Sequence, residues 1–241
     1  MSELLVVDLG TLPYAIALEL QRDVARRRIT GEIAEDVLLL VEHPPVVTLG
    51  RTAKGANLIA SPEYLASRGV ELFEVERGGD ITFHGPGQLV GYPIIDLKRH
   101  RKDLHWYLRQ VEQALMDTVR DFGITAGRVE QYTGVWVNVL ETPRKLASIG
   151  VHARDWVTWH GFALNVNTDL RYFDLIVPCG IANVTMTSVA SELHRGSVDM
   201  RAAVEAVVRA FGATFGLVPR SVDLAELSAT ANAAAVSSPP R

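Results

Sequence analysis

The chain has 241 residues, 48% of them apolar, and carries 24 lysines and arginines against 28 aspartates and glutamates for a net charge of −4. That length can bury a full core, while the slightly acidic balance excludes the global basic field that draws proteins to nucleic acid or acidic lipid. A single cysteine, Cys179, excludes an intramolecular disulfide framework and an all-cysteine metal site, and a lone thiol suits a reducing compartment.

The first residues, "MSELLVVDLGTLPY", lack the basic stretch and uninterrupted apolar run of a secretory signal. No segment approaches the roughly 20 apolar residues that span a bilayer. The expectation is a soluble, cytoplasmic protein. Thr11 as an N-cap, Pro13 in the first turn and the apolar recurrence of "YAIALELQRDVARRR" predict a helix over about 12–28. "DVLLLVEHPPVVTLG" reads as two extended segments around Pro44 and Pro45. Ser61, Pro62 and Gly69 frame a short helix in "SPEYLASRG". "VELFEVER" is a predicted strand that runs into the glycine-rich "RGGDITFHGPGQLVGYPI", and "QLVGYPIIDL" continues as a strand beyond it. Asp103 opens a helix in which Leu104, Tyr107, Leu108, Val111, Leu115, Val119 and Phe122 share one face, and Gly123 ends it.

Three strands follow, "GVWVNVL", "KLASIGVHA" and "VTWHGFALNVN", joined by polar or glycine turns that predict hairpins. After them come the loop "TDLRYFDLIVPCGIANVTMTS" and an amphipathic helix from Asp199 to Phe215. The closing "SATANAAAVSSPPR" reads as a frayed tail. Strands grouped in hairpins with helices between the groups indicate a single α+β domain on a sheet that is at least partly antiparallel.

The chemistry concentrates at three places. Cys179, in "IVPCGIANV", is either a small buried hydrophobe, as free cysteines commonly are, or a nucleophile carried on a loop shaped by Pro178 and Gly180. A nucleophilic thiol needs a nearby cation or base, because the thiolate is the reactive form. Lys145, in "PRKLASIGVHA", is such a candidate. Its position favours a solvated edge charge, and the alternative is a partly buried ammonium at the mouth of an interior strand. In the stretch from Arg77 to Ile94, Gly78-Gly79 and Gly85-Pro86-Gly87 offer two points where backbone can approach a ligand, with Arg77 before one and His84 before the other. The stretch matches neither a Walker loop nor a dinucleotide-binding fingerprint.

Lys98, Arg99, Arg101 and Lys102 form a basic run that is either a solvated face or a docking patch for an acidic partner. His100 and His105 lack the spacing of a helical zinc pair, so no metal site is predicted.

Three ordered blocks, "RGGDITFHGPGQLVGYPI", "RKLASIGVH" with "HGFALNVN", and "VPCGI", resemble the lipoyl(octanoyl) transferases. The resemblance covers the chain from about Asp8 to Phe215. It implies a fold like the catalytic domains of biotin and lipoate protein ligases: one domain with a large mixed, mostly antiparallel sheet flanked by helices. That domain would span 1–218, with 219–241 as a C-terminal extension.

The implied activity moves an octanoyl or lipoyl group from acyl carrier protein to a lysine ε-amino group, without a cofactor. The acceptors would be lipoyl domains of 2-oxoacid dehydrogenase E2 subunits and the glycine cleavage H protein. By the same resemblance Cys179 would form the acyl-thioester and Lys145 would be its acid/base partner. Substrate would lie against Arg77, Gly78, Gly79, Asp80, Ile81, Thr82, Phe83 and His84, against Ser148, Ile149 and Gly150, and against Gly161, Phe162 and Ala163. The residue after Gly-Gly is often glutamine in that family and is Asp80 here. Two rival readings are an ATP-dependent lipoate or biotin ligase of the same fold and a non-catalytic acyl-carrier-binding module.

Overall fold

The structure, a computed structural model, describes residues 2–229. Its strands in chain order are β1 (Glu3–Thr11), β2 (Asp36–Glu42), β3 (Val46–Leu49), β4 (Glu71–Glu74), β5 (Ile81–His84), β6 (Gln88–Ile94), β7 (Ala126–Val129), β8 (Tyr132–Val137), β9 (Arg144–Arg154), β10 (Val157–Asn165), β11 (Thr185–Met186) and β12 (Val218–Ser221). The helices are α1 (Tyr14–Thr30), α2 (Pro62–Ser67), α3 (Leu104–Arg120), α4 (Val189–Glu192) and α5 (Met200–Phe215). Among the described residues the larger sheet has nine strands in the order β12-β1-β2-β6-β10-β9-β8-β7, with β11 added against β9. Its central and far strands are antiparallel, while β12, β1 and β2 run parallel. The architecture is therefore α+β on a mixed, mostly antiparallel sheet flanked by helices. A smaller sheet, β4-β3-β5, packs beside it.

Period-two alternation explains the layers. In β2, Leu38 and Leu40 join a core cluster with α3 and α5, whereas Val37, Leu39 and Val41 join a cluster with α1 on the opposite face. Leu4 and Val6 of β1 divide from Leu5 and Val7 in the same way. Strands covered on both faces carry unbroken apolar runs, and each fully buried leucine contributes roughly 2 kcal/mol. On α3 the Asp103 carboxylate accepts from the Trp106 N–H at 3.0 Å, the expected cap, and α5 is capped likewise by Asp199 on Arg201.

Several boundaries differ from the sequence expectation. The opening residues form β1, so Thr11 ends a strand instead of capping a helix; α1 starts after Pro13 without a side-chain cap and runs to Thr30. "VELFEVER" pairs only over Glu71–Glu74, in the smaller sheet. The glycine-rich stretch hides a strand, β5, which pairs antiparallel with β3. Strands β7, β11 and β12 and helix α4 were not anticipated. β12 lies parallel to β1, and Val222 and Leu227 beyond it are buried. The expected frayed tail falls, from residue 230 onward, outside the described residues. No helix among the described residues is long and apolar enough to cross a membrane.

Candidate active site

A cavity of about 590 Å³ opens between the centre of the larger sheet and the smaller sheet, a size ordinary for small-ligand sites. Strands β6, β10 and β9 supply its floor, β5 and the turn Pro178–Gly180 one wall, and the first turn of α3 with residues 131–133 the rim. Register pairs Ser148 with Ala163 and Gly150 with Gly161, so two neighbouring strands present small residues side by side and leave the floor nearly bare.

Cys179 sits half-buried in the wall, on a single 3₁₀ turn, with φ +57. A non-glycine residue in the left-handed region costs of order 1 kcal/mol or more and persists only where its surroundings hold it. Here they do. Gly180 follows at φ +66, and a Cβ on it would lie 2.5 Å from Asp80 Oδ2. That carboxylate accepts from Asn57 Nδ2 at 2.6 Å and from the Ile81 N–H at 2.8 Å, while the Asn57 carbonyl accepts from the Val177 N–H at 2.7 Å. Asp80 thus braces the thiol-bearing turn against the segment around Asn57.

Lys145 does not lie at a solvated edge. β9 has β8 on one side and β11 on the other at this position, and the side chain is 1% exposed. Its Nζ donates to Cys179 Sγ at 3.2 Å and lies 5.1 Å from the centre of the Trp136 ring. The cradle is built by Gly134, whose φ is +137 and whose Cβ, if present, would lie 2.8 Å from Lys145 Cε and 2.6 Å from the Ala147 carbonyl. The Gly134 N–H is held by the fully buried Glu112 at 3.1 Å, and Arg109 and Arg128 donate to the same carboxylate at 2.7 and 2.8 Å. The Ser148 hydroxyl lies 3.8 Å from Cys179 Sγ.

In the glycine-rich block, Arg77 is buried and, among the described residues, donates only to neutral oxygens: the Thr48 carbonyl at 2.7 Å, the Thr48 hydroxyl at 2.9 Å and the Gly78 carbonyl at 3.1 Å. Burial lowers its pKa. Strand alternation sends Thr82 and His84 toward the cavity. Phe83 does not line the cavity; it stacks on Tyr172 at 4.7 Å in the core beneath the smaller sheet, where Ile81 also packs while touching the cavity. The remaining predicted residues, Gly78, Gly79, Asp80, Ile149, Gly150, Gly161, Phe162 and Ala163, all line it. Tyr14, Tyr92 and His160 line it too without having been singled out from the sequence: Tyr92 and His160 lie inside two of the resembling blocks, whereas nothing in the sequence around Tyr14 points to the site. The basic run 98–102 stands just before α3 with local partners: Lys98 near Asp96 at 3.7 Å, Arg101 near Asp103 at 3.2 Å and Arg99 on the Ala34 carbonyl.

Burial pushes the His84 imidazole down to about 3 and His43 to about 4. The Gln88 amide nitrogen donates to Phe83 and Asn165, so its Oε1 accepts from His84 Nδ1–H at 2.7 Å. Both rings are neutral in the fold, whereas in the unfolded chain they protonate near 6.5. The unfolded state therefore binds more protons below that pH, and stability, complete above it, falls as the solution is acidified. The urea midpoint is expected to drop between pH 7 and pH 5, with a slope of up to about 1.4 kcal/mol per pH unit for each histidine. A midpoint that stays level would mean these rings are charged in the folded protein.

Residues 13–212 match the family model described as the lipoyl protein ligase A/B catalytic domain. The chain is 48% identical over 217 residues to an octanoyltransferase of Myxococcus xanthus, covering 89% of this chain and 60% of that protein. It is 52% identical over 192 residues to an octanoyltransferase of Solibacter usitatus, covering 80% of this chain and 84% of the relative. For an octanoyltransferase of Acidobacterium capsulatum the identity is 49% over 223 residues, covering 88% and 89%. Among solved structures the fold is similar to the bipartite lipoate protein ligase of Thermoplasma acidophilum, with a TM-score of 0.72 at 17% identity, covering 97% of this chain and 92% of that one. It is also similar to lipoate-protein ligase A bound with ATP, with a TM-score of 0.69 at 18% identity, covering 96% and 93%.

Proposed function

We propose, for a chain that belongs to the lipoyl protein ligase A/B catalytic-domain family, that it is an octanoyltransferase working through an acyl-thioester on Cys179. The observation that carries the reading is the buried Lys145 ammonium 3.2 Å from the Cys179 sulfur, at a cavity floored by small residues. A cation at that distance is an electrostatic partner for a thiolate. The thiolate adds to the carbonyl of an octanoyl thioester on acyl carrier protein, the carrier's sulfur leaves and takes a proton from the Lys145 ammonium, and the acyl group stays on Sγ. One thioester replaces another, so the step needs no nucleotide. A lysine amine of the acceptor then forms the amide bond, the C–S bond breaks, and Lys145 in its neutral form takes the proton the amine loses.

Burying the acyl chain at about 0.8 kcal/mol per CH₂ supplies several kcal/mol of binding. The acceptors in this reading are lipoyl domains of 2-oxoacid dehydrogenase E2 subunits and the glycine cleavage H protein, and the compartment is the cytoplasm. Arg77, whose charge no carboxylate bonds among the described residues, adds a positive field beside the anionic states of the reaction.

The test is intact-mass measurement after mixing the protein with octanoyl carrier protein in the absence of any nucleotide. The expected product carries one octanoyl group that hydroxylamine removes. Transfer that appears only when ATP and free acid are supplied would replace this reading with a ligase.

A further inference from the structure

Acyl transfer to a thiol passes through a tetrahedral intermediate whose oxygen carries a full negative charge, and donors aimed at that oxygen are worth a large share of the rate. In many thiol and serine enzymes backbone amides beside the nucleophile supply them. Here the two amides that follow the nucleophile are committed: the Gly180 N–H donates to the Val177 carbonyl at 2.9 Å and the Ile181 N–H to the Pro178 carbonyl at 3.1 Å. Those two amides are therefore not available to the oxyanion.

We infer that the Ser148 hydroxyl donates to this oxyanion, an assignment that rests on the acyl transfer proposed above. Ser148 stands on β9 three residues beyond Lys145, so one strand delivers both polar neighbours of the sulfur, the ammonium at 3.2 Å and the hydroxyl at 3.8 Å. That sulfur contact is the only hydrogen-bonding contact of the Ser148 hydroxyl among the described residues, and it leaves the proton free to turn. The oxyanion lies two bonds from Sγ, and a working donor sits about 2.7–3.1 Å from it; a hydroxyl 3.8 Å from the sulfur falls within that reach. Thr82, the hydroxyl on the β5 wall, has no hydrogen bond to the sulfur among the described residues. Ala163, the register partner of Ser148, leaves room for the carbonyl beside it.

The bookkeeping of the step is simple. In the first half the Sγ–C bond forms as the carbonyl π pair moves onto oxygen, and collapse restores C=O as the carrier's sulfur departs; in the second the acceptor N–C bond forms the same way and collapse breaks the C–Sγ bond, the serine keeping its proton throughout. Lys145 handles the mobile proton, and Ser148 holds the transient charge in both halves of the reaction.

The experiment compares two reactions of the same thiol in the wild type and in Ser148→Ala. One is single-turnover acylation by octanoyl carrier protein, and the other is alkylation by iodoacetamide, a displacement at saturated carbon that creates no oxyanion. The expected result is acylation slowed about 10²–10³-fold at little change in KM, with alkylation within about twofold of wild type. Retained alkylation also reports an intact site in the variant. Acylation within about threefold of wild type would overturn the assignment, as would alkylation that falls in parallel, since Ser148 would then act on the thiol itself. A wild type that alkylates but never takes the acyl group instead removes the acyl-transfer reading, and Ser148's role with it.

Discussion

Cys179→Ser is expected to abolish the octanoyl adduct and to lower transfer by about 10³-fold or more. Exchanging sulfur for oxygen leaves the turn intact, because its geometry is set by Asp80, Asn57 and the Gly180–Val177 bond and not by the side chain of residue 179. What changes is the nucleophile. A hydroxyl is a far weaker nucleophile than a thiolate until a base takes its proton. Attack by a hydroxyl on a thioester would also leave an oxygen ester, which resists amines more than a thioester does, so the second half-reaction suffers as well. The measurement is intact mass together with single-turnover transfer to a lipoyl domain. Transfer within tenfold of wild type, or an adduct on the serine variant that peptide mapping places away from residue 179, would show that the acyl group does not depend on the Cys179 thiol.

What could be read from the sequence follows from where each element lies in the fold. The β8–β9–β10 hairpins were legible because turns punctuate them. β1 was missed because "ELLVV" is buried on both faces and shows no alternation, and β5 because glycines on both sides, with Pro86 after it, mask four residues that pair with β3. At the site, the thiol and the glycine-rich wall were visible as local composition. The burial of Lys145 was not, because its surroundings come from residues distant in the chain: Gly134 on β8, β11 at residues 185–186, and Cys179. A charged residue next to apolar ones reads as an edge until both neighbouring strands are known. Glu112 escaped for the same reason: its place on α3 beside Val111 reveals nothing of the Arg128 and Gly134 that make a buried carboxylate tolerable there.

Lys145→Arg and Lys145→Met together separate charge from proton transfer. Arginine keeps a cation near Cys179 and can stack on Trp136, but its guanidinium does not give up a proton. Transfer to an acceptor lysine is therefore expected to fall about 10²–10³-fold, the usual scale of a lost acid/base catalyst, while alkylation of Cys179 by iodoacetamide falls much less. Methionine removes both functions, so alkylation and transfer should drop together. The fold should tolerate methionine well, because replacing a buried ammonium with an apolar chain of similar length removes a desolvation cost and keeps the packing against Trp136 and Gly134. Urea unfolding at pH 7 checks that point, and a midpoint at or above wild type is expected for Lys145→Met. Near wild-type transfer in the arginine variant would leave Lys145 a purely electrostatic role, with the proton taken by another group or by water.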